Sequence, residues 1–158
     1  MLSEEGIELN QMFWLNLLKD AQVYSKSDSL TEDEITAEAE RLNFALPKSY
    51  KDFLRFCNIQ EMENGERYFQ FFTTKEIQEN ITDCEFSEYM PGAVPFAMNG
   101  GGCYYVFDTR EGLVNDEYPI YAVSAGSLDW NKDAAFFLGN SFLEIIKEKA
   151  NIENIMFG

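Results

Sequence analysis

The feature that most constrains the fold of this chain is a glycine-rich turn between two apolar runs. The turn is Asn99-Gly100-Gly101-Gly102, and the runs are Val94 to Met98 and Cys103 to Phe107. Valine, phenylalanine and tyrosine favour buried, pleated surfaces, whereas glycine and asparagine tolerate the positive φ angles of a tight reversal. This stretch therefore predicts a β-hairpin at the centre of a sheet.

The same glycines invite comparison with a phosphate-binding loop. Such a loop leads into a helix N-terminus, usually with a lysine after the glycines. Here the turn is followed by Tyr-Tyr-Val-Phe, which is typical of a strand. The sequence favours the structural hairpin.

Asp108 ends the second apolar run and is the acid best placed for carboxylate chemistry. A two-carboxylate hydrolase would pair it with another acid in space, a pairing that sequence alone does not show. Aspartate at a strand end beside a turn usually accepts hydrogen bonds from the turn backbone. We favour that structural role for Asp108.

The rest of the chain predicts an α+β fold, with an antiparallel or mixed central sheet, N-terminal helices packed on it and a C-terminal helix. Thr31 and Glu34 form a capping-box pattern, and Pro47 suits the first turn of the next helix. No repeat or linker divides residues 1–158, so we expect one domain with an extra N-terminal helix within residues 1–25. The predicted helices are 7–24, 31–43, 48–57, 75–80 and 141–149, and the predicted strands are 68–73, 94–98, 103–107, 119–124 and 134–138.

The charge balance restricts the kinds of partner that this chain can bind. Its 28 acidic and 12 basic residues leave a net charge of −16, which repels nucleic acids and anionic membranes and attracts basic proteins. A solubilising role for the acids is the alternative interpretation. There is no histidine, which excludes Ser-His-Asp and Cys-His catalysis and histidine metal ligands. No window matches an EF-hand, and we expect no cofactor or metal.

Cysteine usage and the N-terminus predict a cytoplasmic protein. Cys57, Cys84 and Cys103 are odd in number, widely spaced and outside any C-x-x-C motif, which favours reduced thiols. Glu4 and Glu5 stand where a signal peptide would carry basic residues, and no apolar run approaches a membrane span.

Acids mixed with apolar residues mark the expected partner-binding segments. Residues 76–90 and 111–117 are predicted to be acidic loops, and Trp14 or Trp130 could anchor a partner. The alternative for Trp14, and the more frequent one for a tryptophan on a helix, is that it covers the core. The candidate binding residues are Glu79, Asp83, Glu85, Glu88, Asp116, Glu117, Asp129 and Trp130.

The order of motifs from about Thr31 to Lys149 resembles the SUKH superfamily, which contains fungal cell-wall-assembly regulators of the Smi/Knr type and many bacterial immunity proteins. It runs through Leu46-Pro47-x-x-Tyr50-x-x-Phe53-Leu54, the Thr-x-x-Glu-Ile helix, the Asn-Gly-Gly-Gly-x-Tyr-x-Phe-Asp hairpin and Ser141-Phe142-x-x-Ile145-Ile146. One departure is the segment after the Leu-Pro helix, where the expected glycine is delayed to Gly65.

The resemblance implies an α+β protein without catalytic activity that most often acts as an immunity protein. Such a protein binds and neutralises the C-terminal domain of a polymorphic toxin, frequently a basic nuclease, without binding nucleic acid itself. A regulatory scaffold of the Smi/Knr type is the alternative, and a carboxylate enzyme at Asp108 is a third hypothesis. The expected state is a monomer or a homodimer.

Overall fold

A computed structural model describes residues 3–83 and 85–157 of the chain. Within these residues the chain forms seven helices and seven strands. The helices are α1 Glu4–Leu17, α2 Glu32–Leu42, α3 Lys48–Phe56, α4 Thr74–Asp83, α5 Phe86–Tyr89, α6 Phe142–Ile146 and α7 Ile152–Phe157. The strands are β1 Gln22–Ser27, β2 Asn58–Asn64, β3 Arg67–Phe71, β4 Ala93–Met98, β5 Cys103–Asp108, β6 Ile120–Ser124 and β7 Ala135–Gly139.

The seven strands form one sheet in the order of the chain, and every neighbouring pair is antiparallel. This confirms the predicted α+β class, with an antiparallel sheet, N-terminal helices and a C-terminal helix. Short turns join β2 to β3 and β4 to β5, as is usual for antiparallel neighbours. The links from β1 to β2 and from β3 to β4 are longer and contain the helix pairs α2–α3 and α4–α5.

The predicted central hairpin is confirmed as β4 and β5. Gly100 and Gly102 have φ angles of 79° and 89°, which only glycine adopts at little cost. The Asn99 carboxamide oxygen accepts hydrogen bonds from the backbone N–H groups of Gly101 and Cys103, at 2.8 and 3.0 Å. The glycines therefore serve the turn.

Alternate residues of β5 face two different layers. Cys103, Tyr105 and Phe107 point to the first face of the sheet, which α1, α2, α3, α4, α6 and α7 cover. The core of this face is aromatic: the Phe142 ring lies 5.2 Å from Tyr50 and 5.7 Å from Phe96, between ring centroids. Aromatic pairs at these distances stabilise a core beyond their buried area.

Tyr104 and Val106 of β5 point to the second face, where the cover is much thinner. Phe86, which begins α5, and Met90, which directly follows it, pack there together with Val123 and Ala135. The loop that connects β6 to β7 supplies the remaining cover through Leu128 and Trp130. This face therefore remains partly open to solvent.

A buried arginine ties the end of β2–β3 to the C-terminal segment. The Arg67 guanidinium donates to the backbone oxygens of Ile145 and Ala150, at 2.8 and 2.9 Å, and Asn64 donates to Ile146. Burial lowers the pKa of Arg67 from its ordinary value. The carbonyls at the negative end of α6 thus receive donors that the helix itself lacks.

Several sequence predictions about element boundaries were wrong. The first helix ends at Leu17, and the predicted connection after Tyr24 is part of the edge strand β1. β2 was not predicted, because it is mostly polar and its two buried apolar residues, Ile59 and Met62, stand three positions apart instead of alternating. The closing helix ends at Ile146 rather than Lys149, and α7 follows it.

Capping residues were predicted more successfully than helix ends. Thr31 and Glu34 form the predicted capping box of α2, and Thr73 forms hydrogen bonds of the same kind with Glu76 before α4. Residues 76–90, predicted as an acidic loop, are largely the helices α4 and α5. Cys84 lies outside the described residues.

Candidate functional site

Trp130 is the organising residue of the second face at its open end. Its indole N–H donates to the backbone oxygen of Pro91, at 2.9 Å. Its ring meets Tyr121 edge-on, with the centroids 5.4 Å apart. The contact with Pro91 joins the loop between β6 and β7 to the segment that follows α5.

Arg110 stacks on the Trp130 ring. Its guanidinium carbon lies 3.7 Å from the centre of the Trp130 ring, a cation–π contact. Nε and Nη2 of Arg110 donate to the two carboxylate oxygens of Asp108, at 2.9 and 3.0 Å. The hydrogen bonds to Asp108 raise the pKa of Arg110 above its ordinary value, so this arginine stays charged.

Asp108 is therefore occupied on both oxygens. Besides the Arg110 guanidinium, it accepts a hydrogen bond from the Arg110 backbone N–H at 3.1 Å. This is the turn-backbone role that the sequence favoured for Asp108. The same carboxylate also holds Arg110 against Trp130.

Two further aromatic side chains extend the surface toward the edge of the sheet. Tyr121 of β6 and Phe137 of β7 face each other across the strand pair, with their rings 5.6 Å apart. Phe137 is 51% exposed although it stands in the middle of a strand. An exposed aromatic residue in such a position is a typical anchor for a protein partner.

α5 contributes the acidic part of the site. Tyr89 is 52% exposed and lines a shallow groove together with Leu128, Asp129 and Asp133. Glu85 and Glu88 are exposed beside it, at the start and within the single turn of α5. We call this region the Trp130 surface. Its members are Glu85, Glu88, Tyr89, Arg110, Tyr121, Asp129, Trp130, Asp133 and Phe137.

The structure thus brings together four of the eight predicted binding residues: Glu85, Glu88, Asp129 and Trp130. Asp129 also accepts a hydrogen bond from the Asn131 backbone N–H at 2.8 Å, which shapes the loop beside Trp130. Two more, Glu79 and Asp83, lie exposed on α4, the helix that precedes and contacts α5. Glu79 pairs weakly with Lys75, at 3.9 Å.

The other predicted acidic segment lies against the helices of the first face. The Glu117 carboxylate accepts from the backbone N–H and the hydroxyl of Ser49, each at 2.8 Å. The backbone oxygen of Asp116 accepts from the Lys48 N–H at 2.8 Å. These contacts satisfy the first N–H groups of α3, so Glu117 acts as its distant cap.

Trp14, offered as an alternative anchor, is in the core. Its side chain is 2% exposed and packs against Phe53 and Phe56 of α3. Of the two positions that the sequence left open for Trp14, the structure shows the buried one. The indole sits on the side of α1 that faces α3, while Leu9 and Met12 are exposed.

Sequence reasoning missed Arg110, Tyr121, Asp133 and Phe137. One signal was present in the sequence. Successive side chains of a strand point to opposite faces of the sheet, and Tyr121 and Phe137 stand between the residues that pack on the first face. What no pattern shows is that the β6–β7 loop folds back over the sheet and places Trp130 on Tyr121.

Neither a metal-ligand cluster nor a membrane span occurs among residues 3–83 and 85–157. No three histidine, cysteine or acidic side chains there are arranged to hold a metal ion. No helix in that part of the chain is both long and apolar enough to cross a bilayer. Cys57 and Cys103 are free thiols, and burial raises the pKa of each.

A comparison with protein families supports the resemblance seen in the motifs. The model of the SMI1 / KNR4 family (SUKH-1) matches residues 29–148, close to the predicted range. The matched region runs from just before α2 to just after α6, so α1, β1 and α7 lie outside it. A search of curated proteins found no match.

Proposed function

We propose that this chain, which belongs to the SMI1 / KNR4 family (SUKH-1), is a bacterial immunity protein that binds and neutralises a basic toxin domain. Family membership fits an immunity protein and a Smi1/Knr4-type scaffold equally well. The choice between them rests on the charge of the chain and on its second face.

The observation that carries the proposal is the Trp130 surface. Tyr121, Trp130 and Phe137 form a chain of ring contacts, and Tyr89 lines the groove beside the β6–β7 loop. The four acids of the surface lie on that loop and in or directly before α5. Protein interfaces are enriched in tryptophan, tyrosine and phenylalanine at their centres, with polar residues at the rim. An acidic rim favours a basic partner and rejects acidic ones.

The net charge of −16 supports the same kind of partner. Charge complementarity accelerates the encounter of two proteins and selects among partners. Nucleases that hold a polyanion are commonly basic, and an acidic inhibitor can occupy the site that the polyanion would use. A nuclease domain is therefore the toxin class that we propose.

The direct test is co-expression with the toxin encoded beside this gene. We expect survival of cells that carry both proteins, and a complex that elutes as one species. Association should slow as salt increases, because the Debye length falls from about 10 Å at 0.1 M to about 3 Å at 1 M. Absence of both rescue and complex would overturn the proposal.

Matched variants locate the interface. Trp130→Ala should weaken binding about 30-fold or more, which is the usual effect at an interface hot spot. Glu88→Lys should slow association, whereas Glu40→Lys makes the same charge change on exposed α2 and should bind normally. If the Glu40 and Glu88 variants behave alike, the toxin binds elsewhere. Capture of many unrelated proteins with no toxin complex would favour the scaffold.

A further inference from the structure

A second candidate site lies on the first face, apart from the Trp130 surface. α2, α3, α4 and the strands β2 and β3 enclose a cavity of about 250 Å³. Its walls include the buried apolar side chains Leu46, Phe53, Ile59 and Ile77. The exposed side chains of Arg41 and Lys75 also line it, so the cavity reaches the protein surface.

Glu38, which lines this cavity, has a polar atom without the partner that buried groups normally have. Its Oε2 is buried and forms no hydrogen bond with the described residues. The Tyr50 side chain lines the same cavity and is only 6% exposed. A buried polar atom without a partner costs free energy, which a suitable ligand would recover.

The charges in the cavity select the ligand. Oε1 of Glu38 lies 3.4 Å from Nη1 of Arg41, whose side chain is largely in solvent. Lys75 is more exposed still, so water screens both cations more strongly than it screens the carboxylate. The Glu38 charge also acts on the Tyr50 hydroxyl, and burial together with this charge raises the pKa of Tyr50. Tyr50 therefore stays protonated, and its hydroxyl oxygen can accept.

We propose that this cavity is a binding site for a compact ammonium group on an apolar stem. The ammonium donates to the Glu38 carboxylate and to the Tyr50 oxygen, and the stem fills the space between Leu46, Phe53, Ile59 and Ile77. A free aryl-alkyl amine and the lysine side chain of a bound protein share this chemistry.

The test is a titration of the full chain, with isotope-labelled isoleucine methyl groups, against four probes. Two probes are ammonium compounds: phenethylamine, which represents a free amine, and Nα-acetyl-lysine-N-methylamide, which represents a protein side chain. The other two, 2-phenylethanol and 3-phenylpropionate, have similar apolar bodies with a neutral or an anionic head. We expect at least one ammonium probe to shift the methyl signals of Ile59 and Ile77 and to bind at least about tenfold tighter than both of the others.

Saturation by phenethylamine alone would assign the site to a free amine, and saturation by the lysine derivative alone would assign it to a partner side chain. Equal binding of 2-phenylethanol or 3-phenylpropionate would overturn the proposal. The absence of any methyl shift with both ammonium probes would also overturn the proposal, because it would show that the cavity binds no ammonium group.

Two variants test the groups that carry the argument. Glu38→Gln keeps the size of the side chain and removes its charge, and should weaken ammonium binding about tenfold or more. Glu40→Gln makes the same charge change on α2 outside the cavity and should leave binding unchanged. Tyr50→Phe removes only the hydroxyl and should weaken binding several-fold. Equal affinities in the Glu38 and Glu40 variants would contradict the proposed site.

Discussion

The two faces of the sheet use the same kinds of side chain for different purposes. On the first face, aromatic rings such as Phe96, Phe107 and Phe142 are buried under six helices and touch one another. On the second face, Tyr121, Trp130 and Phe137 also form a chain of ring contacts, but a four-residue helix and one loop are their main cover. The amount of cover, rather than residue type, separates a core from a binding surface.

The two faces also hold their arginines differently. Arg67 is buried and donates to backbone carbonyls, whereas Arg110 is half exposed, pairs with Asp108 and stacks on Trp130. Arg67 therefore stabilises the C-terminal segment. Arg110 supports a surface that solvent, or a partner, can reach.

The sharpest test of this comparison replaces one phenylalanine on each face. Phe142→Ala should lower the free energy of unfolding by about 3–5 kcal/mol, because it leaves a cavity between tightly packed rings. Phe137→Ala should change it by about 0.5 kcal/mol or less, because half of that ring is already in water. Urea denaturation followed by far-UV circular dichroism measures both. Similar losses would show that the second face is a core as well.

The second test concerns the buried arginine. Arg67→Met should cost about 2–4 kcal/mol of unfolding free energy, since the carbonyls of Ile145 and Ala150 lose charged donors. Arg41→Met, at an exposed position, should cost less than about 0.5 kcal/mol. Hydrogen exchange should reveal where the loss occurs, with faster exchange in α6 and α7 of the Arg67 variant. Unchanged exchange in those helices would contradict the capping role.

A smaller effect is expected at Asp108. Asp108→Asn removes the ion pair with Arg110 and keeps an acceptor for the Arg110 backbone N–H, so stability should fall by about 1 kcal/mol. Binding of the proposed toxin should weaken several-fold, because Arg110 is no longer held over Trp130. Denaturation and titration calorimetry give the two values. Loss of an enzymatic activity in this variant would instead favour the carboxylate-enzyme hypothesis.

The smallest effect is the pH dependence contributed by Tyr68, which lies on the polar end of the second face. Burial, together with a hydrogen bond to Glu61, raises the pKa of Tyr68 to about 12, above the value of about 10 expected in the unfolded chain. The folded state thus favours the neutral phenol. Its contribution to stability is complete below about pH 10 and is lost as the pH rises toward 12.

Tyr68→Phe removes this contribution, because phenylalanine has no proton to lose. The difference in unfolding free energy between the two proteins should therefore shrink between pH 10 and 12, as measured by urea denaturation at each pH. Tyr68 and Glu61 alternate with the buried residues Phe69 and Met62, so the test also checks that these strands have one apolar and one polar face. A constant difference would show that the Tyr68 phenol titrates alike in both states.

Local chemistry made some elements predictable from the sequence. The hairpin around Gly100 and Gly102 and the capping box of Thr31 and Glu34 depend on neighbours within a few residues. The continuous apolar run from Cys103 to Phe107 likewise signals a strand that is buried on both faces. Other elements depend on distant partners. β2 carries mostly polar side chains and becomes a strand because β1 and β3 pair with it on either side.

The candidate site divides in the same way. The sequence by itself determined the excess of acids, the absence of histidine, and the presence of Glu85, Glu88, Asp129 and Trp130 in segments that mix charge with apolar residues. It also contained the hairpin that organises the sheet. These are properties of composition and of short-range pattern.

Only the tertiary structure decided which of those residues act together. Trp14 and Trp130 were both candidate anchors, yet α3 buries one and the folded-back β6–β7 loop leaves the other at the surface. Glu117 and Glu88 are both acids that precede a tyrosine, but one caps α3 and the other faces solvent. The physical reason is that exposure depends on what packs across the sheet, and those contacts join residues far apart in the chain.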